Sequence, residues 1–198
     1  FPHGGVKTTT YGSHVITTGY DVWGRRTSLL DPSVSSTPYT YSYTEYDEIK
    51  EEKMPEGTTK YKYNNVGKLL EKVTTGKTNI AINYVYDDTK KGLLVEEEGT
   101  NEDNVFTNTI SYDNFYRVFE KSEVTPKYVY GKKITYDDLG RIKDSESYTI
   151  ISNKRLQTVK LNHQYNLYNG ELNSLVDYSK GTVGKVVWKA NTKNERGQ

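Results

Sequence analysis

The stretch Tyr136-Asp137-Asp138-Leu139-Gly140-Arg141 is the most informative part of this 198-residue chain for predicting its fold. The same phrase, Tyr-Asp-x-x-Gly-Arg, also stands complete at Tyr20-Asp21-Val22-Trp23-Gly24-Arg25. An Asp that opens a type I turn can bond its side chain to the backbone two residues on, and a Gly at the fourth position takes the left-handed conformation that closes a bulged hairpin loop. The phrase therefore predicts a tight turn between two antiparallel strands.

Altered copies of the phrase recur along the chain. They are Tyr46-Asp47-Glu48-Ile49-Lys50 without a glycine, Tyr63-Asn64-Asn65-Val66-Gly67-Lys68, Tyr86-Asp87 with a later Gly92, Tyr112-Asp113-Asn114-Phe115-Tyr116-Arg117, Tyr165-Asn166 with a later Gly170, and Lys193-Asn194-Glu195-Arg196-Gly197-Gln198 without the tyrosine. Together with the complete copies they follow one another at intervals of about 25 residues on average. A fixed period of this length is typical of arrays built from one supersecondary unit.

Residues before the turns alternate as strands do. Ile80, Ile82, Tyr84 and Tyr86 fall on one face before the turn at Asp87. Because one isolated hairpin is barely stable in water, successive hairpins must pair edge to edge. We predict an all-β fold in which repeated antiparallel β-hairpins stack into one long, twisted or curved sheet. Residues 1-198 would form a single array of seven to eight repeats, cut from a longer repeat protein.

The composition excludes several classes of protein. Hydrophobic residues make up only 33% of the chain, and the best helix former, alanine, occurs only at positions 81 and 190, so a helix-rich fold is nearly excluded. The 27 basic and 26 acidic residues nearly cancel, which argues against both disorder and nucleic-acid binding. With no cysteine there is no disulfide framework. No apolar run is long enough to predict a membrane span.

Catalytic and metal-binding patterns are not recognisable in the sequence. His3, His14 and His163 are too few and too scattered for a zinc pattern. The carboxylate pairs Asp87-Asp88 and Asp137-Asp138 fit turn chemistry better than a calcium loop. Neither a Gly-x-Ser-x-Gly elbow nor a phosphate-binding glycine loop is present. We therefore predict that the chain is not an enzyme and that it holds no cofactor and no metal.

The residues of interest are consequently structural. The predicted turn residues are Tyr20, Asp21, Gly24, Arg25, Tyr63, Asn64, Gly67, Tyr86, Asp87, Gly92, Tyr112, Asp113, Tyr136, Asp137, Gly140, Arg141, Tyr165, Asn166 and Gly170. The tyrosine rows are interpreted as cross-strand packing, with a binding platform for sugars or extended polypeptide as the alternative. Trp23 and Trp188 are candidates for contact with a partner, although packing on the next repeat is the favoured role of each.

The chain resembles the YD repeats of the RHS family, which are shared by the shell-forming subunits of bacterial insecticidal toxin complexes and by teneurins. The resemblance rests on the two complete phrases, five divergent copies and the final truncated one. It implies a β-hairpin sheet that spirals into a hollow shell around a C-terminal toxin. The family's Asp-Pro-x-Gly-Leu core sequence is missing, because Asp31-Pro32-Ser33 shares only its first pair. A self-cleavage activity is therefore not carried over, and a curved open sheet is expected.

Two functions follow from the resemblance. The first is a structural segment of a secreted or cell-surface bacterial scaffold that encloses or presents a toxin. The alternative is a surface adhesion module that binds carbohydrate or protein. The expected partners are flanking repeats or other parts of a larger polypeptide, an enclosed toxin domain, or a surface glycan or protein, and neither nucleic acid nor a membrane span is expected.

Overall fold

The computed structural model describes residues 4–89 and 91–191, with Gln157 described by its backbone alone. Every regular element in these ranges is a β-strand. The strands are β1 (Thr8–Tyr11), β2 (His14–Tyr20), β3 (Arg26–Leu30), β4 (Tyr39–Tyr43), β5 (Ile49–Met54), β6 (Gly57–Tyr63), β7 (Leu69–Gly76), β8 (Ile80–Tyr86), β9 (Leu94–Asn101), β10 (Asn104–Tyr112), β11 (Val118–Val124), β12 (Val129–Tyr136), β13 (Ile142–Ile151), β14 (Lys154–Tyr165), β15 (Leu172–Asp177) and β16 (Lys185–Lys189). None of the described residues lies in a helix long and apolar enough to cross a membrane.

The strands pair in chain order from β1 to β16, and the pairs with a described register are antiparallel. This order is that of consecutive hairpins, so the predicted all-β fold of repeated hairpins is confirmed. The register shifts by one residue just before a turn tyrosine. Such shifts lie at Gly19/Tyr20, Ser42/Tyr43, Lys62/Tyr63, Ser111/Tyr112, Thr135/Tyr136 and Gln164/Tyr165. A bulge therefore accompanies the entry to each of these turns.

The described residues fall into two compact units, the first within 1–85 and 97–105. Its strands pack closely enough to restrict side chains at some positions. Gly57 and Gly76 are paired, and a Cβ at Gly57 would lie 2.5 Å from the Thr75 carbonyl oxygen, so only glycine fits there. Thr59 is buried on the same pair of strands and shares a 2.9 Å hydroxyl hydrogen bond with Thr74. Polar cross-strand contacts thus supply part of the packing of this unit.

The second unit lies within 86–96 and 106–198. Its packing centres on a tyrosine laid over a glycine, because Tyr148 is paired with Gly131 and a Cβ at Gly131 would overlap the Tyr148 ring. The Arg155 guanidinium covers the same ring, 4.3 Å from its centroid. Val176 is the other buried hydrophobic residue among those described. Since burial is this sparse, much of the stability must come from strand pairing and contacts between neighbouring hairpins.

Candidate functional site

The first Tyr-Asp turn, residues 20–25, has the hydrogen bonds of a type I turn followed by a left-handed residue. The Gly24 N–H donates to the Asp21 carbonyl at 3.1 Å, and the Asp21 N–H donates to the Arg25 carbonyl at 2.9 Å. Gly24 has a φ of 85°, a conformation that a residue with a Cβ adopts only at a cost. The turn residues therefore sit where hairpin chemistry requires them.

The same pair of backbone bonds recurs in the later Tyr-Asp turns. Asn64 and Gly67, Asp113 and Tyr116, and Asp137 and Gly140 bond as in the first turn, whereas Asp87 with Gly92 and Asn166 with Gly170 close longer loops. The left-handed position is filled by Gly67, Gly92, Gly140 and Gly170, and by Tyr116 in the turn that lacks a glycine. The array thus reuses one turn with small variations in length.

Each turn aspartate is held by hydrogen bonds from its own turn. Asp137 Oδ1 accepts from the backbone N–H groups of Leu139 and Arg141, and Asp137 Oδ2 accepts from Arg141 Nε at 2.7 Å. Asp21 and Asp113 are bonded in the same way. Burial of these carboxyls opposes ionisation, but the hydrogen bonds and charge of the following arginine outweigh it, so the pKa of each aspartate lies below the ordinary value of 3.8.

The turn tyrosine reaches back to the preceding Tyr-Asp turn. Its hydroxyl donates to the carbonyl of the first residue after that turn, at 2.7 to 2.9 Å. The pairs are Tyr43 with Arg26, Tyr63 with Ile49, Tyr112 with Leu94, Tyr136 with Val118, and Tyr165 with Ile142. Burial raises the pKa of Tyr43, Tyr63 and Tyr165, so these hydroxyls remain donors at neutral pH. Each such bond ties one hairpin to the one before it.

The turn arginine reaches forward to the next turn and covers its tyrosine ring. The distances from guanidinium carbon to ring centroid are 4.7 Å for Arg25 over Tyr43, 4.1 Å for Arg117 over Tyr136 and 4.2 Å for Arg141 over Tyr165. These are cation–π distances. Arginine, aspartate and tyrosine together form a repeating set of contacts, which we call the turn ladder.

The second turn differs in register from the one predicted at Tyr46-Asp47. It spans residues 43–48, three residues earlier, with Tyr43 as the turn tyrosine and Thr44 in the place of the aspartate. Thr44 Oγ1 accepts from the N–H groups of Tyr46 and Glu48, and the Thr44 N–H donates to the Glu48 carbonyl. Asp47 takes the left-handed position, with a φ of 70°. The Tyr46-Asp47 pair misled the prediction because a hydroxyl, not a carboxylate, caps this turn.

The tips of these turns expose apolar side chains. The residue two places after the capping residue is Trp23, Tyr46, Val66, Phe115, Leu139 or Tyr168 in six of the turns, and each of these is at least 75% exposed. Trp23 has the Arg25 guanidinium 4.8 Å from its ring. Trp188 lies on β16, is 45% exposed and pairs with Leu175. Both tryptophans therefore stay candidates for partner contact.

This fold is found in solved structures. The chain is similar to part of the Photorhabdus luminescens Tc holotoxin pore, with a TM-score of 0.56 and 14% identity over 96% of this chain and 12% of the other. Matches also include the crystal structure of TcdB2-TccC3-Cdc42 (TM-score 0.42, 11% identity, 96% and 14% of the two chains) and a porin-like protein from Bacteroides uniformis (0.39, 15%, 96% and 82%). No family model and no curated protein matches. The likeness to the holotoxin pore shows a shared fold, and the chain spans a small part of that protein.

Some predicted features fall elsewhere. The truncated copy Lys193-Asn194-Glu195-Arg196-Gly197-Gln198 and His3 lie outside the described residues. His163 lies on β14 opposite Leu175, and its Nδ1 atom is buried. Across residues 4–89 and 91–191, no three His, Cys, Asp or Glu side chains are grouped as a metal site would need. The recurrent side-chain contacts among the described residues thus lie at the turns.

Sequence reasoning missed the links between turns. It assigned Asp and Gly to turn chemistry but gave no partner to the tyrosine hydroxyl or the arginine. The tyrosine before the turn and the arginine after it recur along the sequence, although a type I turn and its left-handed residue require neither. This recurrence could have indicated the contacts between turns. A residue that recurs without a local role indicates a contact with a neighbouring repeat.

Proposed function

We propose that this chain is a structural segment of a secreted or surface RHS/YD-repeat protein of bacterial type, where it forms part of a β-shell scaffold that encloses or presents a C-terminal toxin. The observation that carries the proposal is the turn ladder. Tyrosine hydroxyls bond backward and arginine guanidinium groups stack forward at successive turns. The recurrent side chains thus bind the neighbouring hairpin, and such contacts are what a continuous scaffold of hairpins requires.

The contacts that stabilise this chain are typical of a repeat array and not of a globular domain with one core. A tyrosine–carbonyl hydrogen bond contributes about 1 kcal/mol and a guanidinium–ring contact about 0.5 to 1 kcal/mol, and both terms recur with the turns. Stability of this kind adds up along the array and does not depend on one core. Such a chain can be lengthened by adding hairpins without redesigning the interior. We propose a non-catalytic role because the recurrent tyrosine and arginine side chains are engaged in contacts between hairpins.

The likeness to the Tc holotoxin pore supports this proposal at the level of the fold. The partners we propose are flanking repeats of a larger polypeptide and a toxin domain held by them. We propose a secreted or surface location as part of the same scaffold function.

Limited proteolysis of the full-length parent protein tests the scaffold. We expect its C-terminal domain to resist protease when the array is intact and to become cleavable when Arg117 and Arg141 are both replaced by alanine. The double replacement of Lys121 and Lys143 by alanine is the matched control, because it also removes two positive charges and both lysines are exposed on strands outside the turns. A parent reading frame without further repeats or a C-terminal domain, or a domain cleaved equally in all variants, would count against the proposal.

The alternative, adhesion to carbohydrate or protein, is favoured by the exposed tryptophans. Trp23 is 75% exposed at a turn tip and Trp188 is 45% exposed on β16. Exposed aromatic rings of this kind are enriched at interfaces. Glycan-array binding that is lost in Trp23→Ala or Trp188→Ala, with the proteolysis pattern unchanged, would favour adhesion over the scaffold.

A further inference from the structure

The second Tyr-Asp turn carries Glu48 at the closing position, where three other turns carry arginine. Glu48 closes residues 43–48, whereas Arg25, Arg117 and Arg141 close the first (residues 20–25), fifth (residues 112–117) and sixth (residues 136–141) turns in chain order. Each of these arginines covers the tyrosine of the following turn. The tyrosine that follows the second turn is Tyr63, and Glu48 cannot supply it with a guanidinium.

The Glu48 carboxylate reaches the left-handed residue of the next turn, as the guanidinium does elsewhere, while its Oε2 atom accepts a hydrogen bond from Thr44 Oγ1 in its own turn. A Cβ built on Gly67 would lie 3.3 Å from Glu48 Oε1, and one built on Gly140 would lie 3.2 Å from Arg117 Nη1. Both side chains therefore reach the left-handed residue of the next turn. One brings a cation to that place, and the other brings an anion.

A cavity of about 450 Å³ lies between the second and third turns. Its lining includes four tyrosines, Tyr43, Tyr46, Tyr61 and Tyr63, and the carboxylates of Glu45 and Glu48. Aromatic faces with nearby carboxylates attract organic cations, because the ring faces carry partial negative charge. The volume is within the range of small-molecule sites.

Three cations of the protein bear on the charge of the cavity: Lys50 and Lys62 line it, and the Arg25 guanidinium already covers the Tyr43 ring at 4.7 Å, so Tyr43 does not offer that face to a ligand. Lys62 is paired with Glu71 at 3.0 Å, so its charge is offset within the protein. Lys50 is exposed and opposes a cationic ligand. The Tyr61 hydroxyl donates to Glu52 at 2.6 Å, which fixes that ring as a wall. Burial, together with the charges of Glu48 and Glu52, raises the pKa of Tyr63, so its ring stays neutral.

We propose that this cavity binds a guanidinium group from a ligand, which replaces the arginine that the second turn lacks. The guanidinium stacks on Tyr63, as Arg117 stacks on Tyr136, and pairs with the Glu48 carboxylate. The protein's own turns supply the template for this geometry. The inference goes beyond a scaffold role, because it assigns a binding site and a ligand class: a free arginine derivative or an arginine side chain of a peptide.

Titration of the 198-residue chain with N-acetyl-L-arginine amide, followed by NMR, tests the site. We expect saturable shifts confined to residues around the cavity. The neutral isostere N-acetyl-L-citrulline amide should bind at least tenfold more weakly, because it lacks the charge. An arginine-containing tripeptide that binds more tightly than the amide identifies a peptide as the source, and equal affinity identifies the free side chain as sufficient.

Variants separate the cavity from general charge effects. Glu48→Arg should abolish binding, because its own guanidinium fills the site, and Glu48→Gln should weaken binding at least fivefold. Lys50→Ala should strengthen it. Glu98→Arg is the matched control: the exposed Glu98 lies on β9, and its replacement makes the same charge change without lining the cavity.

Several outcomes would overturn the inference. They are equal binding of the arginine and citrulline amides, full binding by Glu48→Arg, or the same loss in Glu98→Arg as in Glu48→Arg. If Glu48→Arg does not fold, unchanged affinity in Glu48→Gln overturns it instead. Failure of this titration leaves the protease protection of the parent protein unaffected, so the two proposals are tested separately.

Discussion

The second and sixth Tyr-Asp turns make the same bend with different side chains. In the sixth turn, Asp137 caps the backbone, Gly140 takes the left-handed position and Arg141 stacks on the next tyrosine. In the second turn, Thr44 caps the backbone and Asp47 takes the left-handed position. The hairpin bend and the arginine link to the next hairpin are thus separable, since the second turn keeps the bend, and the Tyr63 hydroxyl bond to Ile49, without an arginine.

The largest expected effect concerns the left-handed residue. Gly140→Val forces a β-branched residue to a φ of 79° and should reduce the free energy of unfolding by about 2 kcal/mol. Gly140→Asp should cost less, because it copies Asp47, whose carboxylate pairs with Arg25 at 2.6 Å. Chemical denaturation measures both. An unchanged stability of Gly140→Val would remove the assigned role of this turn residue.

The backward link comes next in size. Tyr136→Phe removes the 2.7 Å bond to the Val118 carbonyl and should cost about 1 kcal/mol of unfolding free energy. Tyr46→Phe is the matched control, because that tyrosine is 75% exposed at a turn tip, and its loss should stay within about 0.5 kcal/mol. Equal losses in the two variants would mean that the hydroxyl bond does not hold the hairpins together.

The forward link can be restored where it is missing. Glu48→Arg should have an unfolding free energy about 0.5 kcal/mol above that of Glu48→Gln, because both variants lose the carboxylate that accepts from Thr44 Oγ1, but only the arginine brings a guanidinium over Tyr63, as Arg117 does over Tyr136. Glu48→Gln thus separates this gain from the mere loss of negative charge. Thermal melting of the two variants side by side checks the difference, and equal stability of the two would contradict the gain.

The smallest effect appears only in acid. The folded-state pKa values of Asp21, Asp113 and Asp137 lie below 3.8, so their stabilisation is complete above that pH and is lost as the pH falls through the lower folded values. Asp137→Asn, which copies the Asn64 cap, should make the stability fall less steeply as the pH decreases. The exposed neighbour change Asp138→Asn serves as the control. Melting temperatures between pH 5 and about 2 measure the slopes, and identical slopes for the wild type and Asp137→Asn would contradict the assignment.

The turn chemistry could be predicted where the motif was intact. Asp137 and Gly140 act within four residues of themselves, so their roles follow from local hydrogen bonding and φ. The second turn was placed wrongly because Thr44 takes the capping position in place of aspartate and Asp47 takes the left-handed position in place of glycine. The cavity beside Glu48 was equally beyond prediction, since its walls come from two turns brought together by strand pairing.

Local residue patterns were sufficient to predict the antiparallel hairpin array and the position of most bends, because turn residues and strand alternation act over a few residues. The partners of the turn tyrosines and arginines depend instead on how the hairpins pair. The hydroxyl bonds of the turn ladder join residues 14 to 23 positions apart, from Tyr63 with Ile49 to Tyr165 with Ile142. Such contacts form only after pairing has fixed the register of neighbouring hairpins, and no local pattern specifies that register alone.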